Sequence, residues 1–439
     1  MLYRGNELYK HYGWDHKQIH EYSSKKFREF VKFAYNNSKF YKSYYDECGI
    51  RYEDLDTISI CDIPTINKDM VYKNFYDIAT KYIDPKDVAK ALESNELIAK
   101  VGEYSLVHTS GSTGKPCNFL YDKRAIKIIE SNMMRISLGG CNKVGWGDLP
   151  IKTIYIASVG SGYASSAIAM GGIDEYHSKS IILNAKDPID TWRSKANSFN
   201  PSYMAGYVSC IKIVADLQKA GEINLRPKKI IIGGEPLSRE TSKYFKEVFG
   251  ADVTNYYGCT ESILLGVGTS WYEGMYLLDD MNYFEIDKEN RLIITPLYNK
   301  IFPLIRYQLN DVVEGFTKEP VPPLPFTHIN RIIGREEEIM WFKNREGKMD
   351  FLHPLLLDDL DVEEIKEYQF IQKSDSYFIL KCVKMNNESL DVEHKIREQI
   401  DIMLKGKKLD NIKYDVVFTD KLDIDKLSGK EKMVIKEGI

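Results

Sequence analysis

Between residues 101 and 257 the chain alternates apolar, strand-like runs with helical stretches, and this rhythm restricts the fold more than any other feature. Strands are expected at 101–108, 152–159, 180–183, 228–232 and 252–255. Helices are expected at 122–138, 188–199, 208–220 and 238–249, the last started by Ser238 as its N-cap. Strands and helices alternating at this length make an α/β sheet with helices on its faces. The 439 residues can bury a large core and fill two or more domains.

The flanks read differently. Residues 22–48 carry Phe27, Phe30, Val31 and Ala34 at helical spacing, interrupted at 38–41, and Pro64-Thr65 suggests a turn into a further helix capped by Thr65. Residues 1–80 are thus expected to be a helical cap on a core. After residue 270 short strands at 274–286, 291–295 and 302–313 imply a β-rich subdomain, and the proline-dense 320–325 is a loop. A charged run, Glu336-Glu337-Glu338, opens a last segment of mixed helix and strand long enough for a small domain. The expected division is 1–334 and 335–439.

Composition excludes several classes. A net charge of -4 offers no basic footprint for nucleic acid. Seven scattered cysteines without a Cys-x-x-Cys pair give neither a zinc spacing nor a disulfide framework, and reduced thiols fit a cytoplasmic location. His16 and His20 share a helical face, but nothing nearby completes a metal site. No apolar run resembles a signal peptide or approaches the ~20 residues of a membrane span.

Three motifs carry chemistry. The first is Thr109-Ser110-Gly111-Ser112-Thr113-Gly114-Lys115. Small residues let backbone approach a polyphosphate, consecutive N–H groups form a concave anion site, and hydroxyls and an ammonium add donors. It is not a Walker loop: Thr109 stands where that motif needs glycine, and Pro116 where it needs Ser or Thr. The second is Asn255-Tyr256-Tyr257-Gly258-Cys259-Thr260-Glu261, just past a strand, where open α/β sheets bind ligands. A tyrosine there can stack on a purine, Thr260 can bond a phosphate, and Glu261 is a hard oxygen ligand for Mg²⁺. Upstream, Gly233-Gly234-Glu235-Pro236 is another strand-end turn where a flat ring could lie on backbone. The third runs from Pro303 to Asp311, followed by Gly334-Arg335; Asp311 suits two ribose hydroxyls, since a carboxylate accepts both.

In order and content these motifs resemble the adenylate-forming, acyl-CoA synthetase-like superfamily, and within it the phenylacetate-CoA ligase and CapK-like branch. The resemblance implies a large α/β domain with a β-rich subdomain and a small mobile C-terminal α+β domain. It implies that Thr109, Ser110, Gly111, Ser112, Thr113, Gly114 and Lys115 hold the β- and γ-phosphates of ATP. Gly234, Glu235 and Pro236 would flank adenine, with Tyr256, Tyr257 and Gly258 in the same site and Tyr257 stacked on the base. Thr260 would contact the α-phosphate, Glu261 would bind Mg²⁺, and Asp311 and Arg335 would hold the ribose. Ser428-Gly429-Lys430 matches the Gly-Lys setting of the family's catalytic lysine, making Lys430 the first candidate and Lys426 the second. Ser161, Tyr163, Gly206 and Tyr207 are candidates for an acid pocket suited to an aryl or small polar carboxylic acid.

The chain departs from the family in places. Gln308, Leu309 and Asn310 replace the usual Arg-x-Gly but spare the carboxylate of Asp311. Residues 340–347 lack the glycine-containing loop of many CoA ligases, so CoA, a phosphopantetheinyl carrier protein and an amine all stay open as acceptors. Ser270-Trp271 stands where some members carry a zinc-binding cysteine, and no zinc is expected. A kinase or ATPase, or a non-catalytic nucleotide-binding scaffold, are the readings of a different class.

Overall fold

The computed structural model describes residues 7–437 apart from 95–98, 110–116, 139–149, 158–177, 236, 270–272, 334–338, 353, 358–359, 363, 386–390 and 424–432. Helix α1 (His16–Asn37) starts at a capping box, with the Gln18 amide donating to Asp15 and the Asp15 amide donating to Gln18. It begins six residues before the expected start, because that Asp-x-x-Gln signal precedes the apolar spacing. Ser38 ends α1 and caps α2 (Lys39–Glu47) through the Tyr41 amide. Short helices follow at Lys68–Lys73, Phe75–Ile78 and Pro85–Leu92. The first is capped by Asn67 and not by Thr65.

Strands β1 (Ala99–Val101), β2 (Tyr104–His108) and β3 (Asn118–Tyr121) form an antiparallel sheet of their own. This corrects the single strand expected at 101–108: Gly102, at φ +58°, turns the chain between β1 and β2. The Ser/Gly stretch therefore connects two strands of a hairpin. Helix α3 (Lys123–Leu138) starts only after β3, capped by Asp122 on the Ala125 amide.

The expected α/β rhythm then appears: β4 (Ile151–Ala157), β5 (Ser178–Asn184), α4 (Ile189–Asn197), β6 (Tyr203–Gly206), α5 (Val208–Lys219), β7 (Lys229–Gly233), α6 (Arg239–Phe249) and β8 (Asp252–Tyr257). Ser238 caps α6 through the Thr241 amide, and Gly250 closes it at φ +66°. Next come β9 (Gly266–Thr269), β10 (Met275–Leu277), β11 (Asn282–Ile286), β12 (Arg291–Pro296), β13 (Tyr307–Glu314), β14 (Thr327–Ile329) and β15 (Arg331–Ile333). The large sheet has the order β14-β10-β9-β8-β7-β6-β4-β5, parallel from β8 to β5 and antiparallel beyond β8. The β-rich region divides: β11-β12-β13-β15 make a separate antiparallel sheet, while β9, β10 and β14 extend the large one. From β4 the chain places β5 on one side and β6 onward on the other, and such reversals open a crevice at the strand ends.

The remaining elements are β16 (Met340–Lys343), β17 (Met349–Leu352), a short helix (Pro354–Leu357), β18 (Ile365–Ser374), β19 (Tyr377–Lys384), α7 (Val392–Gly406), β20 (Lys413–Phe418) and β21 (Val434–Lys436). The last four strands form a sheet of order β20-β19-β18-β21 over a core made only of residues from Met340 to Val434. The fold class is α/β, as expected. Among the described residues no helix is long and apolar enough to cross a membrane.

One buried ion pair joins the N-terminal segment, α3 and the β-rich region. Arg135 on α3 donates to Asp280 at 2.5 Å, and His11 lies 2.7 Å from the same carboxylate. Burial pushes the Asp280 carboxyl up, but Arg135 and His11 together bring it below its ordinary value. The stability it contributes is present above its unfolded value and is lost as pH falls through the lower native one. Asp280→Asn leaves a buried guanidinium without its counter-charge, so it is expected to cost about 3–5 kcal/mol. Urea unfolding at pH 7 checks the loss.

Candidate active site

The carboxyl ends of β6, β7 and β8 lie side by side, with Gly206 level with Ile232 and Gly233 level with Tyr256. This brings Gly206, Tyr207, Gly234, Glu235, Tyr256 and Tyr257 to one edge of the large sheet. Close packing explains the glycines. A Cβ at Gly206 would stand 2.1 Å from the Ile156 carbonyl oxygen. At Gly234, φ is +84° and a Cβ would stand 2.8 Å from the ring of Tyr207; at Gly233 it would stand 2.9 Å from the ring of Tyr256. The turn is thus threaded between two tyrosines, and the flat ring lying on Gly234 is the protein's own Tyr207.

Glu235 also makes a contact with a neighbouring helix. Its carboxylate accepts the Ser209 amide and the Ser209 hydroxyl, each at 2.7 Å. Ser209 is in the first turn of α5, so the carboxylate satisfies one helix N–H group there.

The second and third motifs, 46 to 54 residues apart, meet through two tyrosines. Tyr257 donates its hydroxyl to Asp311 at 2.5 Å. Tyr307 donates to Glu261 at 2.9 Å. Burial, then Asp311, holds the Tyr257 phenol protonated far above its ordinary value, which keeps it a donor. Burial likewise pushes the Glu261 carboxyl up, opposed in part by hydrogen bonds that include the one from Tyr307. Tyr121 of β3 donates to the Thr260 carbonyl at 2.7 Å and ties this turn to the small sheet.

The turn is anchored from below. The Leu265 amide donates to the Tyr257 carbonyl at 2.7 Å, and the buried Ser262 hydroxyl donates to Asn282 at 2.7 Å. A Cβ at Gly258 would stand 2.0 Å from the Ile263 carbonyl oxygen, a contact with backbone that no rotamer relieves. Gly258→Ala is therefore expected to destabilise the protein by about 1–3 kcal/mol and to displace Glu261. Thermal melting together with acid-dependent pyrophosphate release checks both effects.

The start of the third motif is held in an uncommon backbone. Arg306 has φ +49°, and the strand expected from 302 begins only after it, at Tyr307. Its guanidinium donates to Glu285 at 2.8 and 2.9 Å and to the carbonyls of Cys61 and Ile63. The Gln308 amide donates to the Ile66 carbonyl at 2.9 Å, so the helical region braces β13 from outside.

The base of the Ser/Gly loop is closed by Thr109. Its amide donates to the Cys117 carbonyl at 3.0 Å, and its hydroxyl oxygen accepts the Cys117 amide at 2.9 Å. The Cys117 thiol is pushed up to about 12, first by burial and then by Glu261, which places the loop's base in the electrostatic range of that carboxylate. Ser110, Gly111, Ser112, Thr113, Gly114, Lys115, Ser161, Tyr163, Pro236, Arg335, Lys426 and Lys430 lie outside the described residues, as do Ser270 and Trp271.

The donor set fits a hard divalent cation. Glu261 is a buried carboxylate with no ion-pair partner among the described residues, and Asp311 nearby is a second negative group. A cation held there would supply a counter-charge. Among the described residues no group of three or more His, Cys, Asp or Glu could hold a metal. A cation on Glu261 would complete its shell with water or a bound polyphosphate, as is usual for Mg²⁺.

Sequence reading singled out Glu261, Asp311 and Tyr257 but not the hydrogen bonds by which Tyr257 and Tyr307 orient the two carboxylates. Tyr307 stood inside the third motif without a role. Tyr121 and Ser209 had no signal, because their partners are 139 and 26 residues away.

No family model matches the chain. It is 24% identical over 420 residues to Protein CapK of Staphylococcus aureus, covering 86% of this chain and 82% of that protein. It is 21% identical over 352 residues to phenylacetate-coenzyme A ligase of Pseudomonas putida, covering 73% of this chain and 72% of that one. In three dimensions it resembles 2-hydroxyisobutyryl-CoA ligase bound to 2-HIB-AMP and CoA in the thioesterification state, with a TM-score of 0.60, 17% identity, and 96% and 90% of the two chains covered. The alternating sheet and these likenesses run in one direction: the chain has the fold of that ligase and is similar, over most of its length, to CapK and to phenylacetate-CoA ligase.

Proposed function

We propose that this protein is an AMP-forming ligase that activates a carboxylic acid with ATP, releases pyrophosphate, and passes the acyl group to a thiol. The observation that carries the reading is the paired contact at the sheet edge. Tyr257–Asp311 and Tyr307–Glu261 bring the nucleotide-type motifs together beside the base of the Ser/Gly loop.

The chemistry follows from charge. A carboxylate attacking the α-phosphate meets like charge, so catalysis is mostly positioning and electrostatics. Loop N–H groups and Lys115 would neutralise the departing pyrophosphate. Asp311, with Tyr257 fixing one oxygen, would hold the ribose, assisted by Arg335. Glu261 would hold Mg²⁺, which supplies charge neutralisation along the triphosphate when bound. Lys430, with Lys426 as the second candidate, would bridge the carboxylate and an α-phosphate oxygen. Residues 335–439 would move as a unit between the two half-reactions, a gating step.

The acid side is narrower. Tyr207 over Gly234, and Tyr256 against Gly233, leave an aromatic-walled edge that favours an aryl or small polar acid over a long chain. The acceptor is CoA or a phosphopantetheinyl carrier protein. Pyrophosphate release trapped with hydroxylamine across a panel of aryl, small polar and long-chain acids tests this. AMP and pyrophosphate with an aryl or small polar acid is the expected outcome. ADP and phosphate, or no release with any acid, rejects the reading.

A further inference from the structure

The third motif is anchored by a side chain that lies far outside it. Tyr41 on α2 is fully buried, and its hydroxyl bridges the two ends of the turn 303–305. It accepts the Ile305 amide at 2.8 Å and donates to the Pro303 carbonyl at 3.1 Å. Burial pushes the phenol far above its ordinary value, so it stays protonated and can do both. Buried backbone groups require partners, and here one side chain from another part of the chain partners two of them.

The turn leads directly into β13, whose first residues lack a strand on one side. β12 pairs with Tyr307 and Gln308, but β15 reaches only Val312, Val313 and Glu314. Ile66 takes the open edge. Its amide donates to the Arg306 carbonyl at 3.2 Å and its carbonyl accepts the Gln308 amide at 2.9 Å, so it brackets Tyr307 as a parallel bridge. Tyr44, one turn along α2 from Tyr41, donates to the neighbouring Thr65 carbonyl at 3.1 Å. One helix therefore holds both the turn before Tyr307 and the segment beside it.

These contacts fix two side chains of the site. The Tyr307 ring is buried, and its hydroxyl reaches Glu261 at 2.9 Å. Further along β13 the register with β12 slips: Gln308 lies opposite Ile293, but Val312 lies opposite Arg291. Asp311 sits in that irregular stretch, where its carboxylate takes the Tyr257 hydroxyl at 2.5 Å. A bulge re-aims the side chains it carries, so the fixed start of β13 decides where Tyr307 and Asp311 point.

We propose that Tyr41 is a positioning residue for adenylation: from the helical region it fixes the start of β13, and through Tyr307 it holds the Glu261 carboxylate in place for nucleotide binding. This rests on the proposed function for what Glu261 does; the clamp on 303–308 does not.

The whole protein is tested as Tyr41→Phe, with Tyr45→Phe as the control. Tyr45 lies on the same helix and is equally buried, but its hydroxyl has no hydrogen-bond partner among the described residues. In Tyr41→Phe, amide hydrogen exchange at Ile305 and Gln308 is expected to rise about tenfold or more, with β18–β19 unchanged. The Mg²⁺ midpoint of ATP binding, followed by calorimetry, rises about tenfold, the lower end of the range for losing a ligand's hydrogen-bond partner. A loss of folded protein alone lowers the amplitude of that titration and leaves its midpoint in place. Acid-dependent pyrophosphate exchange falls about tenfold in the wild-type background and by less than about twofold in Tyr307→Phe, because the two changes share one route. Tyr45→Phe leaves all three readouts within about twofold of wild type, since its hydroxyl has no bond to lose.

If Tyr41→Phe does not fold, Tyr44→Phe at the half-buried Thr65 contact carries the same cycle, with a fall of about threefold that vanishes in Tyr307→Phe. Unchanged hydrogen exchange at Ile305 and Gln308 overturns the clamp. An unmoved Mg²⁺ midpoint, equal falls in both backgrounds, or a Tyr45→Phe that matches Tyr41→Phe overturns the positioning role. A wild type that releases no pyrophosphate with any acid defeats the proposed function instead, and hydrogen exchange still decides the clamp.

Discussion

Glu261→Gln is expected to lower acid-dependent pyrophosphate exchange by about 10²–10³-fold, the range found when one preorganised electrostatic group is removed from a site. The fold should survive. The glutamine carbonyl can still accept the Tyr307 hydroxyl that now lies 2.9 Å from the carboxylate. The change also removes a buried charge that has no ion-pair partner among the described residues. Such a charge is a burden on the empty protein, so the variant should melt at or above the wild-type temperature. Lost activity with retained or raised stability marks a residue kept for function. Mg²⁺ titration followed by ATP binding supplies a second readout: Glu261→Gln should need more Mg²⁺ for the same ATP occupancy. If exchange stays near wild type, Glu261 is not the cation's ligand.

Lys430→Ala is the second large effect. The assignment rests on the Ser428-Gly429-Lys430 context, and an ammonium that meets the attacking carboxylate and the α-phosphate is worth on the order of 10³-fold or more in rate. ATP binding should be largely kept, because the phosphate loop, Asp311 and Glu261 lie elsewhere in the chain. Lys426→Ala separates the two candidates: only one of the pair should lose pyrophosphate exchange. Near-wild-type exchange in Lys430→Ala rejects that residue, and near-wild-type exchange in both rejects the whole 426–430 assignment.

Much of the site could be read before any fold was known, for a physical reason. Gly258 and Glu261 belong to one turn and Asp311 to β13, and in both places backbone demands or ligand chemistry concentrate in a few adjacent residues. The parallel strands were equally legible, since Ile230, Ile232 and Val253 are buried runs bounded by turn residues. The short strands β3 and β6 were not, because four residues carry too little periodicity to stand out. The hairpin around the Ser/Gly loop was missed for the same reason, since its second strand is the four-residue β3.

Partnerships at long sequence distance were invisible. Glu235 looked like part of a ligand site because it follows two glycines at a strand end. Nothing nearby in sequence signalled that its carboxylate caps α5 through Ser209. Nothing in the sequence singles out Lys407 or Asp350, and only folding buries them against 185–189. The Arg306 backbone shows the same limit. A side chain at φ +49° is tolerated there because Glu285 and two distant carbonyls hold its guanidinium.

The central claim is that the acid's own oxygen attacks the α-phosphate of ATP. Turnover of a carboxylate labelled with ¹⁸O on both oxygens, with products analysed by mass spectrometry, tests it most directly. Attack at that phosphorus, followed by loss of the acyl group to a thiol, must leave one ¹⁸O in AMP and none in pyrophosphate. Label in inorganic phosphate with ADP as co-product, or AMP free of ¹⁸O, would contradict the account.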